Sequence, residues 1–325
     1  MATWIERRPA GDVARDWRSV ASDSDGSHLI VGAFGKRLYT SANFGANWTE
    51  RRPGGDADLY WRAVASDNDG SHLIAGISAG RLYTSENYGV AWTERQPAGA
   101  ANFSWNSVAS NITGSCLIAG VYGWRLFSSE NYGVSWTERQ PAGDANKNWW
   151  AVAYAAAGSR LIASVSPGRL YTSQDYGANW TERRPAGDAD LNWRAVAFDT
   201  DGSHLFVAAY GGRLYTSANY GANWTERRPA GDANKNWFAC ASNGSGSNLI
   251  AAIENGRLYT SADYGVTWEE HKPAGDYDMH WYSVASGIVG SHLIAGIKDV
   301  RLWTTADAYV APAVKVKHLM MTGLG

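Results

Sequence analysis

Two kinds of side chain that can bind a sugar or a protein partner recur along this chain at one fixed spacing. A tryptophan and an arginine each return every 44 residues. An indole ring stacks on the C–H face of a sugar, while neighbouring polar groups fix the sugar hydroxyls. The candidate ligand-binding residues are therefore Trp17, Trp61, Trp105, Trp149, Trp193, Trp237 and Trp281, with Arg37, Arg81, Arg125, Arg169, Arg213, Arg257 and Arg301.

The same tryptophans have a second interpretation, which is that they are core residues of an inner strand. A residue that recurs in every repeat is first a structural residue, whereas several similar weak sites would gain by avidity. The sequence leaves both interpretations open and favours the core. The repeats vary most just before these tryptophans, so we expect an exposed rim for ligand or partner at 13–16, 57–60, 101–104, 145–148, 189–192, 233–236 and 277–280.

The elements that must position these residues are repeats of constant length. Seven units follow one another without insertion or deletion, and a period of 40–45 residues is typical of propeller blades. Within one unit, four short runs are bounded by Gly, Asp or Asn: WRAVAFD, HLFVAAY, RLYTS and NWTERR. Such runs are typical of strands, and none has the period of a helix. The sequence therefore predicts an all-β, seven-bladed β-propeller with four antiparallel strands per blade.

A spaced motif joins the third and fourth predicted strands of each unit. It reads TSANYGANWTE from Thr216 to Glu226 and recurs in near-intact form in five other units. The pattern S-x-[DN]-x-G-x-x-W resembles the Asp-box, or BNR repeat, of sialidases, sortilin-type receptors and the photosystem II assembly factor family. The resemblance implies a hairpin turn in which the Ser and Asn or Asp side chains bond turn amides. The third position is Asn43, Asn87, Asn131 and Asn219, or Asp175, Asp263 and Asp307. We interpret the motif as a structural turn without chemistry.

The two chain ends predict how a ring would close. The seventh motif carries Tyr309 in place of Gly and Pro312 in place of Trp, and the missing fourth strand resembles TWIER near the N-terminus. We therefore expect Thr3–Arg8 to pair with Arg301–Thr305, which would close the ring and remove an exposed sheet edge. Residues 1–309 form the predicted propeller. Residues 310–325 form a tail that either docks to a partner or packs on its own propeller.

The sialidase resemblance does not extend to an active site. A sialidase would need three arginines from different blades, a Tyr nucleophile with a Glu partner, and an Asp acid. In this chain each arginine and each glutamate of the WTER segment recurs in every unit, and the Arg-Ile-Pro segment is missing. The glutamates are Glu6, Glu50, Glu94, Glu138, Glu182, Glu226 and Glu270, and we expect them to pair with the arginines across strands three and four. We expect no enzyme.

Other classes of site and partner receive little support from the composition. The net charge is −2, so nucleic acid is not an expected partner, and no apolar run is long enough to span a membrane. His28, His72, His204 and His292 lie one repeat or more apart, which predicts no metal site, and no motif predicts a cofactor. Cys116 and Cys240 each replace a repeat residue and are interpreted as buried thiols.

The sequence thus predicts a non-enzymatic interaction or structural propeller, a component of a larger assembly such as a phage or virus particle. Its partner would be a protein of that assembly or a glycan. The alternative is a multivalent carbohydrate-binding lectin; less favoured are a sialidase-like glycosidase and an assembly factor for a membrane complex. Because the first residues, MATWIERRPAGD, lack the features of a secretory signal, we expect the chain in the cytoplasm or assembled into a particle.

Overall fold

A computed structural model describes residues 3–156, 158–288, 290 and 292–305. This part of the chain is all β and contains no helix, so it has no helix long and apolar enough to cross a membrane. The predicted tail, 310–325, and the seventh copy of the turn motif lie outside the described residues.

The strands of the described residues fall into four positions within each 44-residue repeat. In chain order they are β1 Trp4–Arg7, β2 Trp17–Ser22, β3 Leu29–Lys36, β4 Leu38–Ser41, β5 Thr49–Arg51, β6 Leu59–Ser66, β7 Leu73–Ile77, β8 Leu82–Ser85, β9 Thr93–Arg95, β10 Trp105–Ser110, β11 Leu117–Trp124, β12 Leu126–Ser129, β13 Thr137–Arg139 and β14 Lys147–Tyr154. They continue with β15 Leu161–Val165, β16 Leu170–Ser173, β17 Thr181–Arg183, β18 Asn192–Phe198, β19 Leu205–Gly212, β20 Leu214–Ser217, β21 Thr225–Arg227, β22 Lys235–Ser242, β23 Leu249–Gly256, β24 Leu258–Ser261, β25 Glu269–His271, β26 Met279–Ser286, β27 Leu293–Ile297 and β28 Leu302–Thr305.

Within a repeat, each strand pairs antiparallel with the next one along the chain. In the first repeat β2 pairs with β3, β3 with β4 and β4 with β5, and the later repeats follow the same order. At four junctions the end of the second strand also bonds the start of the next repeat's first strand, as where Phe34 lies opposite Tyr60. These bridges join the repeats into one 12-stranded and two 8-stranded sheets.

The two ends of the described chain meet in one sheet. Strand β1 pairs antiparallel with β28, with Trp4 opposite Thr305 and Arg7 opposite Leu302. The Arg7 Nε atom donates a hydrogen bond to Thr304 Oγ1 at 2.7 Å. This is the strand pairing that the sequence predicts for residues 3–8 and 301–305.

The core lies between neighbouring repeats. The second strands are buried along their first five residues, which explains why they are apolar runs without alternation. One cluster combines Ile30 and Leu38 of the first repeat with Trp61 and Tyr83 of the second. The two cysteines are buried and unpaired, as predicted. Each repeat is therefore stabilised by apolar packing on the next.

The turn motif forms the hydrogen bonds that its residue types predict. In the first copy, the backbone N–H of Gly45 donates to Ser41 Oγ at 2.9 Å, and that of Asn47 donates to Asn43 Oδ1 at 2.8 Å. The Trp48 indole N–H donates to Gly45 O at 2.9 Å. Gly45 has a φ of 76°, a left-handed conformation that favours glycine.

Candidate functional site

The tryptophans of the predicted ligand set are core residues in the structure. Each is only 1–2% exposed. Trp193 packs edge-on against Tyr215 of the third strand, with ring centroids 5.5 Å apart, and its indole N–H donates to Gly168 O at 3.0 Å. Because protein atoms cover both faces of these rings, they offer no surface on which a sugar could stack. The structure favours the core interpretation over sugar binding for Trp17, Trp61, Trp105, Trp149, Trp193, Trp237 and Trp281.

The arginines of the predicted set hold the loop that leads to the next repeat. The Arg169 guanidinium donates to the carbonyls of Gly187, Asp188 and Ala189 at 2.6–3.0 Å. The predicted partners in the fourth strand are more distant: Arg81 Nε lies 3.7 Å from Glu94 Oε1. Loop carbonyls are also bound by Arg37, Arg81, Arg125, Arg213, Arg257 and Arg301. These arginines fix the loops, and the structure does not gather them into one site.

A different set of residues is brought together, one from each repeat. It consists of the residue that directly follows each first-strand tryptophan, and we call it the first-strand cluster. Its members are Arg18, Arg62, Asn106, Trp150, Arg194, Phe238 and Tyr282. All seven line one cavity of about 190 Å³, to which the first strand of every repeat contributes. The cluster is asymmetric although the frame around it is repeated.

A β-bulge explains why these residues reach the cavity. The pairing register of the first and second strands shifts between Trp17 and Ser19, so Arg18 is the extra residue of the bulge. The same shift follows the tryptophan in every other repeat. A bulged residue has no partner on the neighbouring strand, and bulges commonly redirect a side chain next to a binding site. The side chain at this position is thus free to vary without disturbing the sheet.

Cations and aromatic rings contact one another in the first-strand cluster. The Arg194 Cζ atom lies 3.5 Å from the centroid of the Trp150 ring, and the Arg62 Cζ atom lies 5.3 Å from it. Arg18 lies 4.6 Å from the Tyr282 ring, and Tyr282 in turn packs on Phe238. Cation–π contacts of this kind hold the guanidinium groups in place while leaving their N–H groups for hydrogen bonding.

Two of the three arginines in the cluster have no carboxylate partner. Arg18 donates to Asp16 at 2.8 Å, but within the described chain neither Arg62 nor Arg194 forms an ion pair. Arg62 Nε donates to the neutral Asn106 Oδ1 at 2.5 Å, and the buried Arg194 Nε has no hydrogen-bond partner there. Burial, with repulsion from Arg18 and Arg194, lowers the pKa of Arg62 to about 10, so it is still charged at neutral pH. The cavity is therefore electropositive.

The sequence does contain a sign of this cluster, which is that the residue directly after each first-strand tryptophan varies between repeats. The variable rim segments end just before each tryptophan, and the next variable position directly follows it. Val13 and Tyr277 in the rim segments are 52% and 76% exposed. The bulge that turns the following residue toward the shared cavity cannot be read from the pattern of apolar residues.

The repeated histidines lie outside the first-strand cluster. His28, His72 and His204 each pair through Nδ1 with an aspartate of their own repeat, at 2.7–2.9 Å. Among the described residues, no three His, Cys, Asp or Glu side chains form a group that could hold a metal ion. These pairs fix the turn between the first and second strands.

Repeated four-stranded antiparallel units, with all their first strands around one cavity, define the chain as a β-propeller. Solved structures of similar fold include YCF48 bound to D1 peptide, with a TM-score of 0.71 and 14% identity over 93% of this chain and 95% of that one. YCF48 from Cyanidioschyzon merolae has a TM-score of 0.69 and 15% identity, covering 94% of this chain and 98% of that one.

A glycosidase has the same type of fold. The GH74 xyloglucanase from Xanthomonas campestris has a TM-score of 0.73 and 17% identity over 96% of this chain, which spans 55% of the xyloglucanase chain. Neither a family model nor a curated protein matches the sequence. At such low identity these similarities concern the fold alone.

Proposed function

We propose that this chain is a closed, seven-bladed propeller that acts as a non-enzymatic interaction module and binds an acidic segment of a partner protein at the first-strand cluster. Support for the ring comes from the pairing of β1 with β28 and from the single cavity that all seven first strands line. In addition, Ser283 Oγ lies 3.4 Å from Trp17 O, which places the last repeat against the first.

The observation that carries the proposal is the pair of arginines without a carboxylate. A buried charge is costly unless it is paired, and neither Arg62 nor Arg194 forms an ion pair within the described chain. A carboxylate entering the cavity would give both groups charge-assisted hydrogen bonds, which are stronger than neutral ones. The surrounding Trp150, Phe238 and Tyr282 rings would contact the apolar part of the same segment.

A protein partner is supported by the fold and by the shape of the cluster. One similar propeller, YCF48, has been solved with a peptide bound. An asymmetric arrangement of cations and rings distinguishes the ends and side chains of a peptide, whereas seven equal sites would not. The rim segments around the cluster would extend such an interface.

The absence of acid–base groups in the cavity lining argues for binding without catalysis. The described residues that line it include no carboxylate and no histidine. Burial raises the pKa of the one thiol there, Cys240, so that it stays protonated and unreactive at neutral pH. A lining without a carboxylate, an imidazole or an activated thiol supports anion binding as the role of this cavity.

The test exchanges arginines for residues that the chain itself carries at the same position. R62N introduces the residue found at Asn106, and R194F the one found at Phe238, so both fit the bulge. Calorimetric titration with a panel of acidic peptides should give binding that weakens by about tenfold or more for each change, since a hydrogen bond to a charged group contributes about 1.5–3 kcal/mol.

The control removes one positive charge elsewhere. R52Q introduces the residue found at Gln96 and Gln140, at an exposed position that pairs with Glu50 and Asp56. It should leave peptide binding unchanged. If R62N and R194F bind the peptides as the unchanged protein does, or if no acidic peptide binds, the proposed function is wrong.

A further inference from the structure

Two cavities distinct from the first-strand cluster lie between neighbouring repeats and are built from equivalent residues. The first, of about 400 Å³, is lined by residues that include His28, Asn47 and Arg51, with Tyr88 from the next repeat. The second, of about 440 Å³, is lined at the equivalent positions by His204, Asn223, Arg227 and Tyr264. The two are four repeats apart. We call them the paired grooves.

The sequence explains why the grooves form at these two places. A small residue, Ala42 or Ala218, follows the third strand in both, whereas the three intervening repeats have Glu86, Glu130 and Gln174 and the last two have Ala262 and Ala306. Only these two repeats of the sequence have His, Ala and Asn together at the positions equivalent to His28, Ala42 and Asn47. The paired grooves therefore share a combination of His, Ala and Asn that no other repeat carries.

A larger side chain reaches the equivalent space in the fourth repeat, and the third repeat differs in residue type. The third repeat has Cys116 at the position of His28 and Glu130 at the position of Ala42. In the following repeat, the Arg160 guanidinium covers the Tyr220 ring at 4.2 Å. In the two grooves the same positions carry histidine and alanine.

The side chains of the paired grooves offer a flat aromatic face beside polar groups. The Tyr88 ring lies 5.0 Å from the His28 ring, and the Tyr264 ring lies 4.9 Å from the His204 ring. Both tyrosines are 44% exposed. The His28 ring is held by its Nδ1 contact with Asp23 at 2.9 Å, so the aromatic face is fixed before any ligand binds.

Hydrogen-bonding groups surround this face. The Asn47 side chain is exposed, and its backbone N–H donates to Asn43 Oδ1 in the turn. The Thr49 hydroxyl is exposed beside it. Arg51 donates through Nε to Thr40 Oγ1 at 2.8 Å and keeps its outer nitrogens without an ion pair in the described chain. An aromatic face with amide, hydroxyl and guanidinium donors matches a sugar ring and its hydroxyls.

We propose that the paired grooves are two equivalent carbohydrate-binding sites, each holding one pyranose ring against the tyrosine with its hydroxyls bonded to the asparagine and threonine. This site is separate from the tryptophans that the sequence singles out for sugar binding. It is also separate from the acidic peptide site, which shares none of its residues.

The first experiment measures binding and stoichiometry. The unchanged protein is screened by saturation-transfer NMR against glucose, galactose, mannose, N-acetylglucosamine and glucuronic acid. The strongest binder is then titrated as its methyl glycoside in a calorimeter. We expect two sites per chain. No saturation transfer from any of the five sugars, or a stoichiometry other than two, would overturn the proposal.

Substitutions taken from the chain's own repeats then remove or add a site. A42E or A218E introduces the residue of Glu86, which should close one groove and reduce the stoichiometry to one, and the double variant should not bind. Conversely, the second repeat matches the first groove at every lining position except Glu86 and Ala91. E86A with A91N should therefore raise the stoichiometry to three.

Two controls test whether a change in sugar binding comes from the paired grooves. Each variant must retain the melting temperature of the unchanged protein within a few degrees, and we expect this because each new residue already stands at that repeat position. R62N with R194F should bind the sugar normally, which separates a failure here from a failure of the peptide site. A stoichiometry of two in all groove variants would contradict the proposal.

Discussion

At the scale of single residues, one position of the fourth strand differs in a way that pH can detect. Six repeats carry an arginine there, whereas the repeat that ends in β25 carries His271. Its Nε2 atom lies 2.6 Å from Thr260 Oγ1, and burial lowers the pKa of the imidazole. The unfolded chain therefore binds a proton more readily than the folded chain does, and protonation favours unfolding.

We predict that the free energy of unfolding decreases as the pH falls below about 6.5, the pKa of His271 in the unfolded chain. The decrease should continue until the pH has passed the lower pKa of His271 in the folded chain. In H271Q this pH-dependent loss of unfolding free energy should be missing, because glutamine does not titrate and can still form a hydrogen bond with the Thr260 hydroxyl. Urea unfolding of both proteins at pH 7.5 and pH 5 measures the difference. An equal loss of unfolding free energy in the two proteins would mean that other titrating groups cause the acid sensitivity.

At the scale of strands, the edge of the sheet formed by β26, β27 and β28 depends on a distant segment. Strand β1 covers β28, and Trp4 packs on the cluster that contains Trp281 and Ile297. Deleting residues 1–8 should lower the unfolding free energy by about 3 kcal/mol or more, since removal of a large aromatic side chain from a core alone costs about this much. It should also promote association through the exposed β28 edge. Thermal unfolding and size-exclusion chromatography measure the two effects.

The control for this deletion is R8Q, which keeps the strand and introduces the residue of Gln96 and Gln140. A synthetic peptide of residues 1–8, added in excess to the truncated protein, should restore part of the lost stability. If the truncated protein remains monomeric and has the same melting temperature as the unchanged protein, β1 contributes nothing to the stability of the sheet.

The strands and turns could be predicted from the sequence because their determinants are local. Ser41 and Asn43 specify a turn by their side-chain hydrogen bonds, and Gly45 by its positive φ. The second strands can be recognised because they are continuous apolar runs. The site could not be predicted in the same way. Trp17 draws attention as a binding residue but packs in the core, while Arg18 beside it reaches the cavity only because the strand bulges between Trp17 and Ser19. A bulge is a property of two paired strands.

At the scale of the whole molecule, a closed ring and an open stack of repeats respond differently to the loss of one unit. In an open stack each repeat contacts only its neighbours, so stability is a sum of local terms and removing one unit costs one interface. In a ring the angle between all neighbours is set by their number. Arg301, which donates to Asp12 O at 2.8 Å, is among the contacts that join the last repeat to the first.

Deleting residues 150–193 removes one 44-residue period and leaves every junction in the repeat register. If the propeller is closed, we expect the shortened chain to lose its single cooperative unfolding transition and to form oligomers, because six units cannot meet at the angles that seven require. Calorimetry and small-angle scattering measure these two properties. The matched control is a chain in which residues 150–193 are replaced by a second copy of 194–237, which should remain monomeric and cooperative. A shortened chain that melts only slightly lower, as a compact monomer, would show that the repeats stack without needing a ring of seven.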